Sequence, residues 1–161
     1  MKILLIFLLT LGIPTESEIS SIRDLYSKAA VSADQANLLS QRLSPVSAQS
    51  DNLLVAYRGA SLTLNAKYAK SVVNKVSLFK EGVKYIEQAV KNDSLSVEIR
   101  FVRFTVQENA PEIVGYKKNL QSDKRFILLN YKDQSNSLKS YLKTYLKSAK
   151  SLTEIERKGL E

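Results

Sequence analysis

A chain of 161 residues has the length for one domain built on one core, and three Pro and five Gly in a sequence that is 44% apolar and 25% charged exclude a disordered or low-complexity protein. Cys and His are both absent. This removes disulfides, acylation on cysteine, the usual general base near neutral pH and the commonest zinc ligands, and with them most hydrolase and metalloenzyme designs; the net charge is +8.

Lys2 precedes a run from Ile3 to Leu11 that is apolar apart from Thr10, and Gly12, Ile13 and Pro14 follow it. That is the layout of a signal peptide, and the run is about half of the roughly 20 residues that a membrane-crossing helix needs. Thr15 and Ser17 hold the small-residue positions of a cleavage site, so cleavage is expected after Ser17, leaving residues 18–161 as the exported domain. The competing reading is an N-terminal helix tucked into the core.

From Ile19 the apolar positions Ile22, Tyr26, Ala29, Ala33, Ala36, Leu39 and Leu43 recur at three and four residues, which predicts one long amphipathic helix ended by Ser44 and Pro45. Asp51 is the expected N-cap of a second helix, with Leu53, Tyr57, Ala60, Leu64 and Tyr68 on one stripe and the small residues Ala56, Gly59, Thr63 and Ala66 on another. Glycine inside a helix costs about 1 kcal/mol relative to alanine, so Gly59 marks a face that a neighbouring helix approaches closely.

A linker over 67–77 leads to a third helix from about Val76 to Lys91, stopped by Asn92, Asp93 and Ser94 in a sharp hairpin. A fourth carries Leu95, Ile99, Val102 and Val106 on one side, widened by Phe101 and Phe104; the β-branched content of 97–106 keeps a strand open as the alternative. Asn109, Ala110 and Pro111 break the chain, and one short turn precedes Gly115. A short helix around Phe126, Ile127, Leu129 and Tyr131 and a last helix from Leu138 to Leu152 complete the pattern, with Thr153 and Glu156 spaced as a capping box for a final turn.

Gly82, Ile86, Ala89 and Ser94 have the spacing of the second helix of a tetratricopeptide unit, and Tyr57 with Gly59 hints at the first; this segment resembles a degenerate tetratricopeptide hairpin. Such units alternate small and bulky residues so that two antiparallel helices nest before the next pair stacks on them. The stretch from Ala56 to Tyr131 is also similar to a group of exported bacterial proteins of unknown function, through Tyr57-Arg58-Gly59-Ala60, Glu98-Ile99-Arg100-Phe101-Val102-Arg103 and Gln107-Glu108-Asn109-Ala110-Pro111 with Gly115-Tyr116. The resemblance implies a Gram-negative envelope or secreted location and a helical, tetratricopeptide-like body, and it implies no activity.

Two sets of residues stand out as candidate sites. Glu98, Arg100, Arg103 and Glu108 crowd an apolar helix, with Arg58 placed to face them from the second helix. Unpaired buried ions cost several kcal/mol each, so an ion-pair network between helices is the first expectation, a pocket for an acidic ligand the second, and a carboxylate working as general acid or base the third. Lys139, Lys143, Lys147 and Lys150 recur along one side of the last helix, and from Pro111 onward eleven Lys and Arg face six Asp and Glu, so this third of the chain holds +5 of the +8. That face is expected either to be simply solvated or to meet anionic lipid, lipopolysaccharide or, less readily after export, nucleic acid.

Tyr57, Tyr68, Tyr116, Tyr131, Tyr141 and Tyr145 lie mostly on apolar stripes and read as core residues. Gly59 and Gly82 open no phosphate-binding loop.

The expectation is therefore one all-α domain of antiparallel helical hairpins, exported to the periplasm or beyond, without metal or cofactor. It would act as a non-catalytic module binding another protein or a peptide; attachment to an anionic envelope surface through the last helix is the alternative.

Overall fold

The computed structural model describes residues 14–161; the apolar run at 1–13, and the leader expected there, lie outside the described residues. Thr15 opens α1 (Glu16–Ala29) with a capping box, its hydroxyl accepting from the Glu18 amide while the Glu18 carboxylate accepts from the Thr15 amide. Ser17, the expected cleavage point, sits in the first turn, so a cut after it would remove both the cap and Glu16.

The stripe from Ile19 to Leu43 belongs to two helices rather than one. α1 stops at Ala29, and α2 (Ala33–Arg42) doubles back beside it, with Arg42 Nη1 donating to Ser21 Oγ at 2.6 Å. The break falls where Val31 finds no core to enter, being 85% exposed, and where Ser32, extended at φ −139°, caps α2 by accepting from the Gln35 amide. Its spacing survives the break because both helices bury alanines, Ala29 and Ala36, in the same cluster.

Asp51 caps α3 (Asn52–Tyr68) as expected, and α4 (Val72–Asn92) follows after only Ala69, Lys70 and Ser71. The linker expected over 67–77 is absent because Ser71 caps α4 by accepting from Asn74, which starts the helix a full turn before Val76. These two helices form the tightest pair in the fold. A Cβ on Gly59 would stand 2.5 Å from the Gly82 carbonyl oxygen, and one on Gly82 would stand 2.5 Å from that of Gly59, so the backbones touch where both side chains are missing.

α5 (Val97–Asn109) is helical throughout the stretch that left a strand open. A 3-10 turn, Glu112–Val114, ends at Gly115 with φ 63°. α6 (Leu120–Asn130) then runs antiparallel to α5, followed by a second 3-10 turn, Tyr131–Asp133, and α7 (Asn136–Leu146). The last apolar stripe is not a single helix to Leu152. It leaves the helix after Leu146, where Ser148 turns both its amide and its hydroxyl onto the Tyr145 carbonyl, and Glu108 on α5 takes the Ser151 amide at 2.8 Å. Ala149 and Leu152 are still buried, and Thr153 with Glu156 forms the expected capping box, opening α8 (Glu154–Lys158).

The described residues thus form an all-α domain of eight helices with no strand. Its core is two apolar clusters that share α5 rather than one continuous body. Successive residues of a helix are rotated by about 100°. Ile99, Val102 and Val106 therefore face the cluster of α1 to α4, and Val97, Phe101 and Phe104 face the opposite way into the cluster of α6, α7 and the C-terminal turns. No helix among the described residues is long and apolar enough to cross a membrane.

Candidate functional site

The two remaining quadrants of α5 are polar, and they hold the charged residues singled out in the sequence. On one side stand Glu98 and Thr105, toward α1 and α7. On the other stand Arg100, Arg103 and Gln107, toward α6 and α4.

Glu98 is 5% exposed and receives a forked pair of bonds from Arg23 on α1, Nε to Oε1 at 2.7 Å and Nη2 to Oε2 at 2.6 Å. The Tyr57 hydroxyl donates to the same Oε1 at 2.7 Å. Arg23 also reaches Glu16 at 2.8 Å and Ser137 Oγ at 3.1 Å, so α1, α3, α5 and α7 meet at one carboxylate–guanidinium pair. The bonds to Glu98 raise the Arg23 pKa against the pull of burial. Burial, reinforced by the charges and hydrogen bonds of Tyr141 and Glu98, holds Tyr57 well above the usual phenol range. Further along, Tyr26 bonds to Thr105 Oγ1 at 2.7 Å, and because the threonine hydroxyl also donates to the Val102 carbonyl, the tyrosine is the donor.

The second seam centres on Asp123, which is fully buried on α6. Arg103 grips it in a fork, Nε to Oδ2 and Nη2 to Oδ1, both at 2.7 Å; Arg100 adds a bond at 3.1 Å and Gln107 one at 3.3 Å. Glu87 on α4 balances the second arginine, accepting from Arg103 Nη1 at 2.9 Å and from the Tyr116 hydroxyl at 2.5 Å. Burial pulls the Arg103 pKa down, but the bonds and charges of Asp123 and Glu87 outweigh it and leave it raised. Gln107 Oε1 takes the Asn119 amide, fastening the start of α6. Arg100 also covers the Phe126 ring, 4.3 Å from its centroid.

The sequence candidates therefore do not gather into one site. Glu98 belongs to the first seam, Arg100 and Arg103 to the second, and Glu108 holds Tyr145, the Ser151 amide and the Ser151 hydroxyl beyond the C-terminal end of both. Arg58 meets none of them; it donates to the Ser40 carbonyl of α2 at 3.1 Å, and its Nε has no hydrogen-bond partner among the described residues. The partners Arg23, Glu87 and Asp123 went unnoticed in the sequence, although Arg23 follows Ile19 by four residues and Asp123 precedes Ile127 by four, each a charge set on an apolar stripe.

Lys139 and Lys143 are half-buried on α7, while Lys147 and Lys150 are exposed past its end, so the four lysines do not form one helical row. None of them takes part in an ion pair among the described residues. Of the six tyrosines read as core, Tyr57 and Tyr131 are buried and the rest are partly buried against one of the two clusters.

A cleft of about 340 Å³ opens at the starts of α1, α3 and α5, with Glu16, Asp51, Asp93 and Glu98 in its wall beside Arg23. Each carboxylate is engaged: Asp51 caps α3, Asp93 accepts from the Ser96 amide, and Glu16 and Glu98 share Arg23. Comparison of the chain with protein-family models, curated proteins and solved structures finds no match in any of the three.

Proposed function

We propose that this chain is a non-catalytic, exported binding module of the cell envelope, a tetratricopeptide-like stack of helical hairpins that takes another protein or a peptide on its surface. The observation that carries this reading is the state of the charged groups on α5. Glu98, Arg100, Arg103 and Glu108 are each tied to another helix or to the C-terminal turns by short hydrogen bonds, so their chemistry goes into fixing helix order rather than into an open cavity. The nested α3–α4 pair, with glycine against glycine, supports the tetratricopeptide-like part of the reading.

Envelope extract passed over the immobilised protein, with free protein as competitor, tests it. A saturable partner displaced by the competitor is the expected result. Hydrolysis of a panel of ester, peptide or glycoside substrates that Glu98→Gln or Glu108→Gln abolishes without loss of fold would overturn it.

A second reading, attachment to an anionic envelope surface through Lys139, Lys143, Lys147 and Lys150, keeps one favourable observation: Lys147 and Lys150 are exposed and have no ion-pair partner among the described residues. Vesicle cosedimentation of a Lys147→Gln/Lys150→Gln variant at low and high salt decides it.

A further inference from the structure

In the lysine-rich C-terminal third the exposed apolar residues Ile113, Val114, Leu129 and Ile155 each have an acidic residue within four positions, so it is not where exposed apolar side chains and unopposed positive charge coincide. They coincide at the elbow between α3 and α4. Residues 52–80 contain Arg58, Lys67, Lys70, Lys75 and Lys80 and not one Asp or Glu. Within that stretch residues 70–77 are all exposed, and they include Val72 at 74%, Val73 at 76% and Val76 at 44%.

The cause of the exposure is a mismatch of lengths. α4 has 21 residues and spans about 31 Å, whereas α3, along which it packs, has 17 and spans about 26 Å. The stripe runs Val72, Val76, Phe79, Val83, Ile86 and Val90; Ile86 and Val90 are buried in the core, and the N-terminal end projects past it. The turn between α1 and α2 lies at this same end, because Lys67 Nζ donates to the Ala30 carbonyl at 2.7 Å and the Tyr68 hydroxyl to that of Ala29 at 3.2 Å. It adds Val31, 85% exposed. Across the two connections, residues 30–34 and 67–76, three lysines, Lys67, Lys70 and Lys75, stand against one carboxylate, Asp34.

We infer that this elbow is a membrane-contact tip, which seats Val72, Val73 and Val76 at the level of the headgroups of an anionic phospholipid bilayer while Lys70 and Lys75 meet the phosphates. A docked helix or a second copy of the chain would cover one face of α4, the face of Val72 and Val76. Val73 lies about 100° from Val72 and about 60° from Val76, so the three valines share one wide face, but exposure on every side of the first turns, residues 70–77, fits immersion of a protruding tip rather than the filling of a groove. Aliphatic side chains flanked by long lysines are the interfacial arrangement, since the lysine stems lie along the apolar boundary and their ammonium groups reach the polar layer. The charge supplies the direction: each lysine near an anionic surface contributes about 1 kcal/mol, roughly fivefold in partitioning. This surface goes beyond the protein-binding reading and does not rest on it.

The absence of Cys makes the test local. A single cysteine placed by Val73→Cys in the full chain is labelled with an environment-sensitive fluorophore and titrated with phosphatidylglycerol–phosphatidylcholine vesicles; Lys150→Cys carries the same label as the comparison. The expected result is a blue shift and loss of access to an aqueous quencher at position 73 only, reversed by high salt and missing with pure phosphatidylcholine. Lys70→Gln/Lys75→Gln should raise the lipid needed for half the shift by about 25-fold. Circular dichroism of each variant checks that the exposed changes leave the fold intact. A label at 73 that stays aqueous, a shift at 150 alone, or a lysine variant that binds like the parent overturns the assignment. A shift at 73 that follows protein concentration without vesicles overturns it in favour of a second copy, and one produced by single-stranded oligonucleotide but not by vesicles overturns it in favour of nucleic acid.

Discussion

Replacing Gly59 by alanine sets helix propensity against packing, and the structure says which wins. Alanine is the better helix former by about 1 kcal/mol. Its Cβ, however, would lie 2.5 Å from the Gly82 carbonyl oxygen and 2.9 Å from the Ile86 amide nitrogen. Both are backbone atoms, so no rotamer change relieves the contact, and α3 and α4 must part until the gap reaches about 3.4 Å. Overpacking of this kind costs about 3 kcal/mol, leaving a net loss of about 2 kcal/mol, or about 4–8 °C in melting temperature for a domain of this size. Urea and thermal unfolding followed at 222 nm measure it. Gly82→Ala should behave alike, since its Cβ would meet the Gly59 carbonyl at 2.5 Å, and the double variant should lose less than the two single losses added, because the first substitution has already separated the helices. Gly115→Ala serves as the contrast: it has open space around it but φ of +63°, so strain alone should cost it about 1 kcal/mol. A Gly59→Ala protein as stable as the parent, or more so, would refute the close-approach account.

The charged seams make their own predictions. Asp123→Asn should destabilise the fold by about 3 kcal/mol, and by more than Arg103→Met, because the first strips Arg100 of its acidic partner and leaves Arg103 with Glu87 alone, while the second leaves Asp123 still paired with Arg100; urea unfolding ranks the two. Burial holds Tyr26 up to about 12 and also raises Tyr57, Tyr116, Tyr141 and Tyr145 above the usual phenol value, so the unfolded chain releases these protons first as pH rises. Stability should therefore be intact below pH ~10 and fall above it by up to about 1.4 kcal/mol per pH unit for each of them; the full tyrosinate absorbance of all eight tyrosines appearing near pH 10 with unchanged ellipticity would contradict this. Ser137 and then Arg23 hold Glu16 below the usual carboxylate range, so its contribution is present above that range and fades as pH falls through the lowered value. Because Glu16 is largely exposed, Glu16→Gln should change stability at neutral pH by less than about 1 kcal/mol, a difference that acid unfolding should show vanishing at low pH.

What the sequence disclosed was periodicity, and periodicity alone does not say which way a stripe faces. It placed α3, its Asp51 cap, the Gly59 contact and the capping box at Thr153, because each depends on neighbours within four residues. It joined α1 to α2, because alanines at 29, 33 and 36 keep helical spacing across a break that only the lack of a core around Val31 reveals. On α5 it gathered Ile99, Val102, Val106, Phe101 and Phe104 into one widened face, where the structure divides them between opposite clusters. The clue was that charges interrupt that helix on two sides: an amphipathic surface helix has one polar face, and a helix polar on two opposed sides has neighbours all round. The partners of those charges lie 75 and 20 residues away for Glu98 and Arg103, a distance at which spacing is silent.

The arrangement of α5 also bears on where a partner can act. A buried ion pair is weak evidence of stability, since hydrophobic residues of equal volume often do as well, but it is strong at rejecting wrong neighbours, because a guanidinium without its carboxylate costs several kcal/mol. Glu98 accepts only a helix that brings a cation, and Arg103 only helices that bring anions; Arg23 comes from α1, Asp123 from α6 and Glu87 from α4. The two seams therefore fix the order of helices around a centre that two apolar clusters alone would leave open to rearrangement. Once all four sides of α5 are occupied in this way, that helix has no side left for a partner. Any surface offered to another molecule therefore lies on helices other than α5, and the exposed start of α4 is one such place.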